Sequence, residues 1–94
     1  MSATIRRLFE LVVGPPICSE ADMARLLDLD PPILRARLVD LRGRGILFGP
    51  FQEGDRDTWK SWFPTVAATV EAAARSGLRG ESAVPLNRSW WGRS

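Results

Sequence analysis

The sequence predicts a mostly α-helical domain that carries one small β-hairpin and is followed by a tail. The first observation is an apolar stripe at Leu34, Leu38 and Leu41, which has the i, i+4, i+7 spacing of one helix face. The second is that Gly45 follows this stripe where a helix is expected to end, and Ile46 opens a strand-like run directly afterwards. Three further stretches with helical apolar spacing flank this segment, so helices are expected to form most of the fold.

The N-terminal part of the chain predicts two helices. A first helix is expected from about Ser2 to Val13, because one face of this stretch is apolar: Ile5, Leu8, Phe9 and Val12. Ser19 is the expected N-cap of the second helix, since its hydroxyl can accept a hydrogen bond from a free backbone N–H group. The second helix is expected to bury one set of side chains, Met23, Ala24 and Leu27.

A short turn at Asp28-Leu29-Asp30 is expected between the second helix and the third. Asp30 suits the N-cap of the third helix, and Pro31 suits its first position because the fixed φ and missing N–H of proline are tolerated there. The third helix is expected to continue to about Arg44. Two helices joined by about three residues form the arrangement of a helix-turn-helix motif.

Two strand-like runs separated by a turn follow the third helix. The first strand is expected at Ile46 to Phe51, and the turn at Gln52 to Asp57. Residues 58–63 are ambiguous: a strand would complete a hairpin, whereas a helix would place Trp59, Trp62, Phe63 and Val66 on one face. We favour the strand.

The last helix is expected to begin at Pro64 and to end at Ser76-Gly77. Its expected buried side is Val66, Ala67, Val70, Ala73 and Ala74. Alanine-rich faces permit close helix contact, so a homodimer through the terminal helices is a possible assembly. Residues 1–77 are therefore the expected domain, and residues 78–94 form a C-terminal tail without periodicity that contains Trp90-Trp91.

The composition of the chain argues against catalysis and against membrane insertion. The 94 residues suffice for one domain, no histidine is present, and the single cysteine, Cys18, excludes an internal disulfide. Without histidine the usual Ser–His and Cys–His pairs and most zinc sites cannot form. No apolar run approaches the roughly 20 residues that span a bilayer, and the N-terminus does not resemble a signal peptide. We expect a cytoplasmic, non-enzymatic protein, or one carried in a particle, without a metal or another cofactor.

The basic residues of the chain favour an anionic or a protein partner. The net charge is +2, and twelve of the thirteen basic residues are arginine. Arginine makes bidentate contacts with phosphate, guanine or carboxylate better than lysine does. Four arginines lie in or at the end of the third helix: Arg35, Arg37, Arg42 and Arg44. An alternative interpretation is that they form a solvated face with salt bridges to Asp40 and nearby acids.

Residues 17–63 resemble the winged helix-turn-helix domain of bacterial ArsR- and MarR-type transcriptional regulators. In that family an apolar position of the recognition helix is followed by leucines four and seven residues later and by glycine eleven residues later. Leu34, Leu38, Leu41 and Gly45 keep this spacing. The resemblance implies three helices, a β-hairpin wing, a C-terminal helix and a double-stranded DNA partner. The cysteine and histidine clusters of the metal-sensing members are missing, so no metal response is implied.

The resemblance also implies which residues contact DNA. In such a family the outward positions of the first two turns of the recognition helix enter the major groove. Those positions here are Pro32, Ile33, Arg35, Ala36 and Arg37, and Arg35 and Arg37 are expected to contact bases, with Arg35 suited to guanine. Arg42, Arg44 and Arg7 are expected to contact phosphates, and Arg56 is the basic residue of the wing. These assignments predict a small DNA-binding transcriptional regulator of a bacterium or phage.

Other features favour a protein-interaction or assembly module, within a phage particle or a larger complex. Pro31-Pro32-Ile33 opens the recognition helix where the family usually has small polar residues, and the wing carries three acids, Glu53, Asp55 and Asp57. Tryptophan and arginine are enriched at interface hot spots, so a protein partner is expected to bind the tail through Arg88, Trp90 and Trp91. The sequence favours DNA binding, and protein binding is the alternative that it leaves open.

Overall fold

The helices and the hairpin follow one another in the predicted order. The computed structural model describes residues 2–15 and 18–77. Within these residues four helices and one two-stranded antiparallel sheet occur: α1 Ala3–Val12, α2 Glu20–Leu27, α3 Pro31–Gly43, β1 Leu47–Glu53, β2 Arg56–Ser61 and α4 Val66–Arg75. The prediction of a mostly helical domain with a small hairpin is confirmed.

Hydroxyl side chains cap the starts of three helices. They accept hydrogen bonds of 3.0–3.2 Å from the backbone N–H group three residues later, and they belong to Ser2, Ser19 and Thr65. This contact satisfies one of the donors that every helix start leaves without an intrahelical partner. Asp30 lies at the N-cap of α3 as predicted, but its side chain makes no capping hydrogen bond.

The start and part of the buried side of α4 differ from the prediction. The helix begins at Val66 rather than at Pro64, because the Thr65 hydroxyl caps it one residue later. Val66, Val70 and Ala73 pack inwards as predicted, whereas the predicted burial of two alanines is wrong, since Ala67 and Ala74 are exposed.

A polar residue, Thr69, occupies the buried side of α4 instead. Its hydroxyl donates to the carbonyl oxygen of Thr65 at 2.7 Å and lies 2.8 Å from the hydroxyl of Ser61. These hydrogen bonds offset the cost of burying a polar group, so the helix can turn this side towards the core.

The strand interpretation of residues 58–63 is confirmed as far as Ser61, where β2 ends. Phe48 lies opposite Lys60, but the next pair is Phe51 opposite Thr58, so β1 contains one more residue than β2 between these pairs. The additional residue is a β-bulge at Gly49-Pro50.

The core lies between the helices and the inner face of the hairpin. Its largest fully buried side chain is Trp59 of β2, which packs with apolar side chains from α1, α2, α3 and α4: Ile5, Leu8, Phe9, Val12, Met23, Leu34, Leu38, Leu41 and Ala73. No helix in the described ranges is long and apolar enough to cross a bilayer.

Candidate interaction surfaces

Arg35 binds carboxylates of the domain itself. Its Nε donates to Oε2 of Glu20 on α2 at 3.0 Å, and its Nη2 donates to Oδ2 of Asp57 on β2 at 2.8 Å. The other carboxylate oxygen of Glu20 accepts from the indole Nε1 of Trp59 at 2.7 Å. The guanidinium carbon of Arg35 also lies 5.8 Å from the centre of the Trp59 ring, within the range of a cation–π contact. The donors predicted to read guanine are thus engaged in joining α2, α3 and β2.

Arg37 is buried, which corrects the prediction that it faces outwards and contacts bases. Its residue is only 3% exposed, and it shares the buried side of α3 with Leu34, Leu38 and Leu41. Helical geometry explains this burial, because positions i, i+3, i+4 and i+7 lie on one face. Burial lowers the pKa of the Arg37 guanidinium, yet an arginine side chain remains charged in proteins.

The two arginines at the end of α3 also make contacts within the domain. Arg42 is exposed, donates from Nη1 to the carbonyl oxygen of Gly49 at 3.1 Å, and lies 5.6 Å from the Trp59 ring centre. Arg44 is more buried: Nε donates to Oδ2 of Asp40 at 3.1 Å, and Nη1 donates to the carbonyl oxygen of Ser76 at 3.1 Å. Arg44 therefore fastens α3 to the end of α4, and a phosphate contact would have to replace these bonds.

The outer side of α3 is apolar. Pro32, Ile33 and Ala36 are exposed, as predicted for outward positions, and the exposed Val39 extends this surface along the helix. None of these side chains carries a hydrogen-bond donor or acceptor. Direct readout of base edges depends mainly on such groups, so these positions can offer a base only apolar contact.

Three predicted phosphate-contact or wing arginines, Arg7, Arg42 and Arg56, are exposed without an ion pair to any other described residue, and of these Arg42 donates to the carbonyl oxygen of Gly49. Arg7 lies on the outer side of α1, and Arg56 begins β2 at the tip of the hairpin. The guanidinium groups of Arg7 and Arg56 are therefore free to meet an external anion.

A cleft of about 270 Å³ lies between the hairpin tip and the starts of α2 and α3. Its lining residues are Ser19, Glu20, Ala21, Pro31, Asp55, Arg56 and Asp57. Three of these carry carboxylates and one carries a guanidinium, although two of the carboxylates also share Arg35. The cleft is therefore an unfavourable place for a phosphate group.

The outer face of the hairpin holds three neighbouring aromatic side chains. Phe48 and Trp62 stack with ring centres 4.1 Å apart, and Phe51 meets Phe48 edge to face at 5.1 Å. Trp62 is 61% exposed and Phe51 is 41% exposed. We call these three residues the aromatic cluster. A groove of about 300 Å³ beside it is lined by Phe51, Glu53, Thr58 and Lys60.

The aromatic cluster does not follow from regular strand spacing, because the bulge creates it. In a regular strand Phe48 and Phe51, three residues apart, would point to opposite faces of the sheet. The additional residue at Gly49-Pro50 brings both rings to the same face. A glycine–proline pair inside a strand-like run was the signal that could have indicated this arrangement.

Metal-binding groups and a reactive thiol are not evident in the described part of the chain. No group of three or more metal-ligating side chains occurs there. Cys18 is half-buried, and burial raises the pKa of its thiol, which disfavours the thiolate form.

The sequence predicts two protein interfaces, one in the C-terminal tail and one between the terminal helices of two copies. The tail with Arg88, Trp90 and Trp91 lies outside the described residues. The terminal helices α1 and α4 pack against each other, and the exposed large apolar side chains of the described residues lie on α2, on α3 and in or beside the hairpin, not on these two helices. A homodimer through the terminal helices remains a proposal.

Comparison with protein-family models, with curated proteins and with solved structures finds no match for this chain. Its function is therefore inferred from α3, the hairpin and the charges around them.

Proposed function

We propose that this chain is a protein-interaction module with a winged helix-turn-helix layout, and that it serves a larger assembly rather than reading DNA. The element order supports the layout: α2 and α3 are joined by three residues, the hairpin follows as the wing, and α4 comes last. The same order is implied by the sequence resemblance. No catalytic role is part of the proposal.

The observation that carries the proposal is that most arginines of α3 are buried or bound within the domain, whereas apolar side chains are exposed. Of the four arginines at α3, Arg37 is buried, while Arg35 and Arg44 bind carboxylates within the domain. The groups exposed nearby are the apolar outer side of α3 and the aromatic cluster. Exposed apolar patches on soluble domains mark interaction sites, and aromatic residues are enriched at protein interfaces.

The charge distribution supports a protein partner as well. Residues 1–77 contain ten basic and ten acidic side chains, so the net charge of +2 comes from residues 78–94. Exposed carboxylates also lie at both ends of the surface that would face DNA: Asp28 and Asp30 before α3, and Glu53 and Asp55 at the hairpin tip. Neutralisation of phosphates by basic side chains supplies essentially all of the affinity of non-specific DNA binding. A domain without net charge, with these carboxylates on the surface that would face DNA, is poorly suited to neutralise phosphates.

The first experiment measures binding to a labelled random-sequence duplex by fluorescence anisotropy at about 50 and 200 mM salt. The proposal expects no binding tighter than the roughly 10⁻⁴ to 10⁻⁶ M that is typical of non-specific contact. Tighter binding that weakens steeply with salt and is reduced in Arg42→Ala would overturn it.

The second experiment locates the partner surface with a photo-crosslinking amino acid in the full chain, in the cells that produce it. We expect a discrete heavier adduct when the crosslinker replaces Val39 or Trp62. Glu10, on the charged outer side of α1, is the matched control position. Adducts of equal yield at all three positions, or at none, would count against the proposed surface.

A DNA-binding transcriptional regulator of a bacterium or phage is the second candidate function. It is favoured by the helix-turn-helix layout together with three exposed basic side chains, Arg7, Arg42 and Arg56. In this case Arg35 would exchange Glu20 and Asp57 for guanine. Arg35→Ala should then relax sequence preference at a cost of about 1–3 kcal/mol. Equal affinity of the wild type for every duplex sequence would exclude this assignment.

A further inference from the structure

We infer that the aromatic cluster is covered by this chain's own C-terminal segment, residues 78–94, through its Trp90-Trp91 pair. The inference rests on the proposed function only in taking the outer face of the hairpin as a binding surface. An external protein partner would then have to displace the segment, which makes the segment a regulator of that surface.

The exposure of the cluster is the first argument. Trp62 stays 61% exposed although its ring stacks on Phe48, and Phe51 stays 41% exposed although its ring also contacts Phe48. The adjoining groove of about 300 Å³ lies at the lower end of the size range of ligand pockets. Such a surface suits a few large side chains from an extended segment, and aromatic rings prefer other aromatic rings in offset or edge-to-face contact.

The place where the segment begins is the second argument. Residue 78 follows Gly77, and the neighbouring Ser76 carbonyl accepts the hydrogen bond from Arg44 at the end of α3. Only Gly45 separates Arg44 from Ile46, whose carbonyl accepts from the N–H group of Trp62 at 3.0 Å. The segment therefore leaves the domain at the end of the hairpin where Trp62 lies.

The length of the segment is the third argument. Trp90 is the thirteenth residue after Gly77, so an extended chain could carry it about 43 Å. The longest dimension of the structure is 36 Å. The tryptophan pair can therefore reach the cluster without strain in the connecting residues.

Charge complementarity is the fourth argument. The segment carries Arg79, Arg88 and Arg93 against one acid, Glu81. Glu53 and Asp55, on the same hairpin as the cluster, are exposed and form no ion pair with any other described residue. Arginines on either side of the tryptophan pair can thus meet these two carboxylates. The same hairpin also carries two basic side chains without an ion pair to a described residue, Arg56 and Lys60, so the attraction is local to Glu53 and Asp55.

As the occupant of the aromatic cluster, the C-terminal segment of the same chain is favoured over the C-terminal segment of a second copy. Both present the same side chains, but a segment that is covalently joined to its own domain has an effective concentration of about millimolar when the connection is short. A separate copy would have to reach a comparable concentration to compete.

The test uses the full chain with Cys18→Ser and Ser94→Cys and a nitroxide spin label at position 94, observed by ¹⁵N–¹H NMR. We expect line broadening at the Phe51 and Lys60 amides and at the Trp62 indole, which disappears when the nitroxide is reduced. Leu26, an exposed apolar residue on α2, is the control and should keep its line width. Trp90→Ala together with Trp91→Ala should abolish the broadening, whereas Ser89→Ala should retain it.

A mixed sample identifies the source of the segment. Isotope-labelled chains without a nitroxide are mixed with unlabelled spin-labelled chains. Broadening at the hairpin in this mixture would overturn the own-chain inference in favour of a second copy, and absence of broadening at the hairpin in both samples would overturn it altogether. Duplex binding that is tighter than non-specific contact and is reduced in Arg42→Ala would refute the proposed function but would leave the broadening unchanged, so the two failures are distinguishable.

Discussion

Arg37 contributes to the packing of the helices rather than to the protein surface. Its position on α3 is fixed by three leucines that share its face, and the apolar stem of arginine can pack along such a face while the guanidinium keeps polar contacts. A buried side chain of this length fills a volume that no other group at the site can fill without rearrangement.

Arg37→Ala should lower the free energy of unfolding by about 2–4 kcal/mol, because truncation leaves a cavity and removes the contacts of the stem. Urea denaturation of the full chain measures this change. Arg7→Ala, on the exposed side of α1, should stay within about 0.5 kcal/mol of the wild type. A similarly small effect for Arg37→Ala would show that Arg37 does not contribute to packing.

Ser19 caps the start of α2, and Asp22 lies in the first turn of this helix. The N–H group of Asp22 donates to Oγ of Ser19 at 3.2 Å, and Arg25 lies 2.5 Å from the Asp22 carboxylate. The Ser19 side chain, and secondly Arg25, hold the pKa of Asp22 below its usual value. The charged carboxylate therefore favours the folded state, as expected for an acid in the first turn of a helix.

The Asp22 carboxylate should make the free energy of unfolding depend on pH in the acid range. Because the folded pKa is lowered, the stabilisation is present above the unfolded pKa of about 3.9 and is lost as the pH falls through the folded value. Asp22→Asn should thus flatten the decline in unfolding free energy between about pH 4 and pH 2. Ser19→Ala should weaken the same decline and also cost about 1 kcal/mol at neutral pH through the lost cap. If the unfolding free energy of Asp22→Asn declined with falling pH as steeply as that of the wild type, the decline would not originate from the Asp22 carboxylate.

At the scale of elements, the bulge determines which side chains the hairpin presents. Gly49 has a φ of 142°, and an added Cβ would lie 3.1 Å from the carbonyl oxygen of Thr58 and 3.2 Å from the Trp59 ring. Both the backbone conformation and the close approach of β2 therefore require glycine at this position.

Gly49→Ala should lower the free energy of unfolding by about 1–3 kcal/mol, because alanine is strained at positive φ and its methyl group meets the backbone of β2. Gly43→Ala is the matched control, since Gly43 lies in α3 with open space around its Cβ position. It should leave stability unchanged or raise it by up to about 1 kcal/mol. Thermal unfolding compares the two variants, and equal melting temperatures would contradict the role given to Gly49.

The network of Glu20, Arg35, Asp57 and Trp59 fastens the hairpin to the helices. Glu20→Ala should cost about 1–3 kcal/mol of unfolding free energy, since the buried indole N–H group of Trp59 loses its acceptor and Arg35 loses one partner. Asp57→Ala, which removes only the more exposed ion pair with Arg35, should cost less than about 1 kcal/mol. Chemical denaturation of both variants tests this order, and a reversed order would contradict it.

At the scale of the whole molecule, the net positive charge lies in residues 78–94 of the sequence. Residues 1–77 are balanced, whereas residues 78–94 contain three arginines and one glutamate. Any weak duplex binding should therefore depend on the C-terminal segment rather than on α3.

Replacement of Arg79, Arg88 and Arg93 by alanine should reduce the slope of log affinity against log salt by up to about 2.7, at 0.9 per lost phosphate contact. Arg42→Ala with Arg56→Ala should leave this slope nearly unchanged. Anisotropy titrations over a salt series measure both slopes. The reverse result would favour the DNA-binding regulator, because its phosphate contacts lie on the recognition helix and the wing.

Local patterns in the sequence were sufficient for most of the fold. The apolar spacing of Leu34, Leu38 and Leu41, the hydroxyl of Ser19 and the glycine after α3 act within one or two helical turns, so a linear pattern can specify helices and their limits. The prediction for α4 was wrong at Pro64, Ala67 and Ala74. The Thr65 cap sets the start of the helix, and the hydrogen bonds of Thr69 permit a polar residue on its buried side.

Local sequence patterns specify the order and type of the elements and the exposure of Pro32, Ile33 and Ala36. The contacts of the arginines, in contrast, are established only when the elements pack together. Arg35 meets Glu20, fifteen residues earlier, and Asp57, twenty-two residues later. The aromatic cluster likewise depends on one additional residue in β1. The physical reason is that these contacts join groups far apart in the chain, and their proximity follows from how helices and strands pack rather than from local spacing.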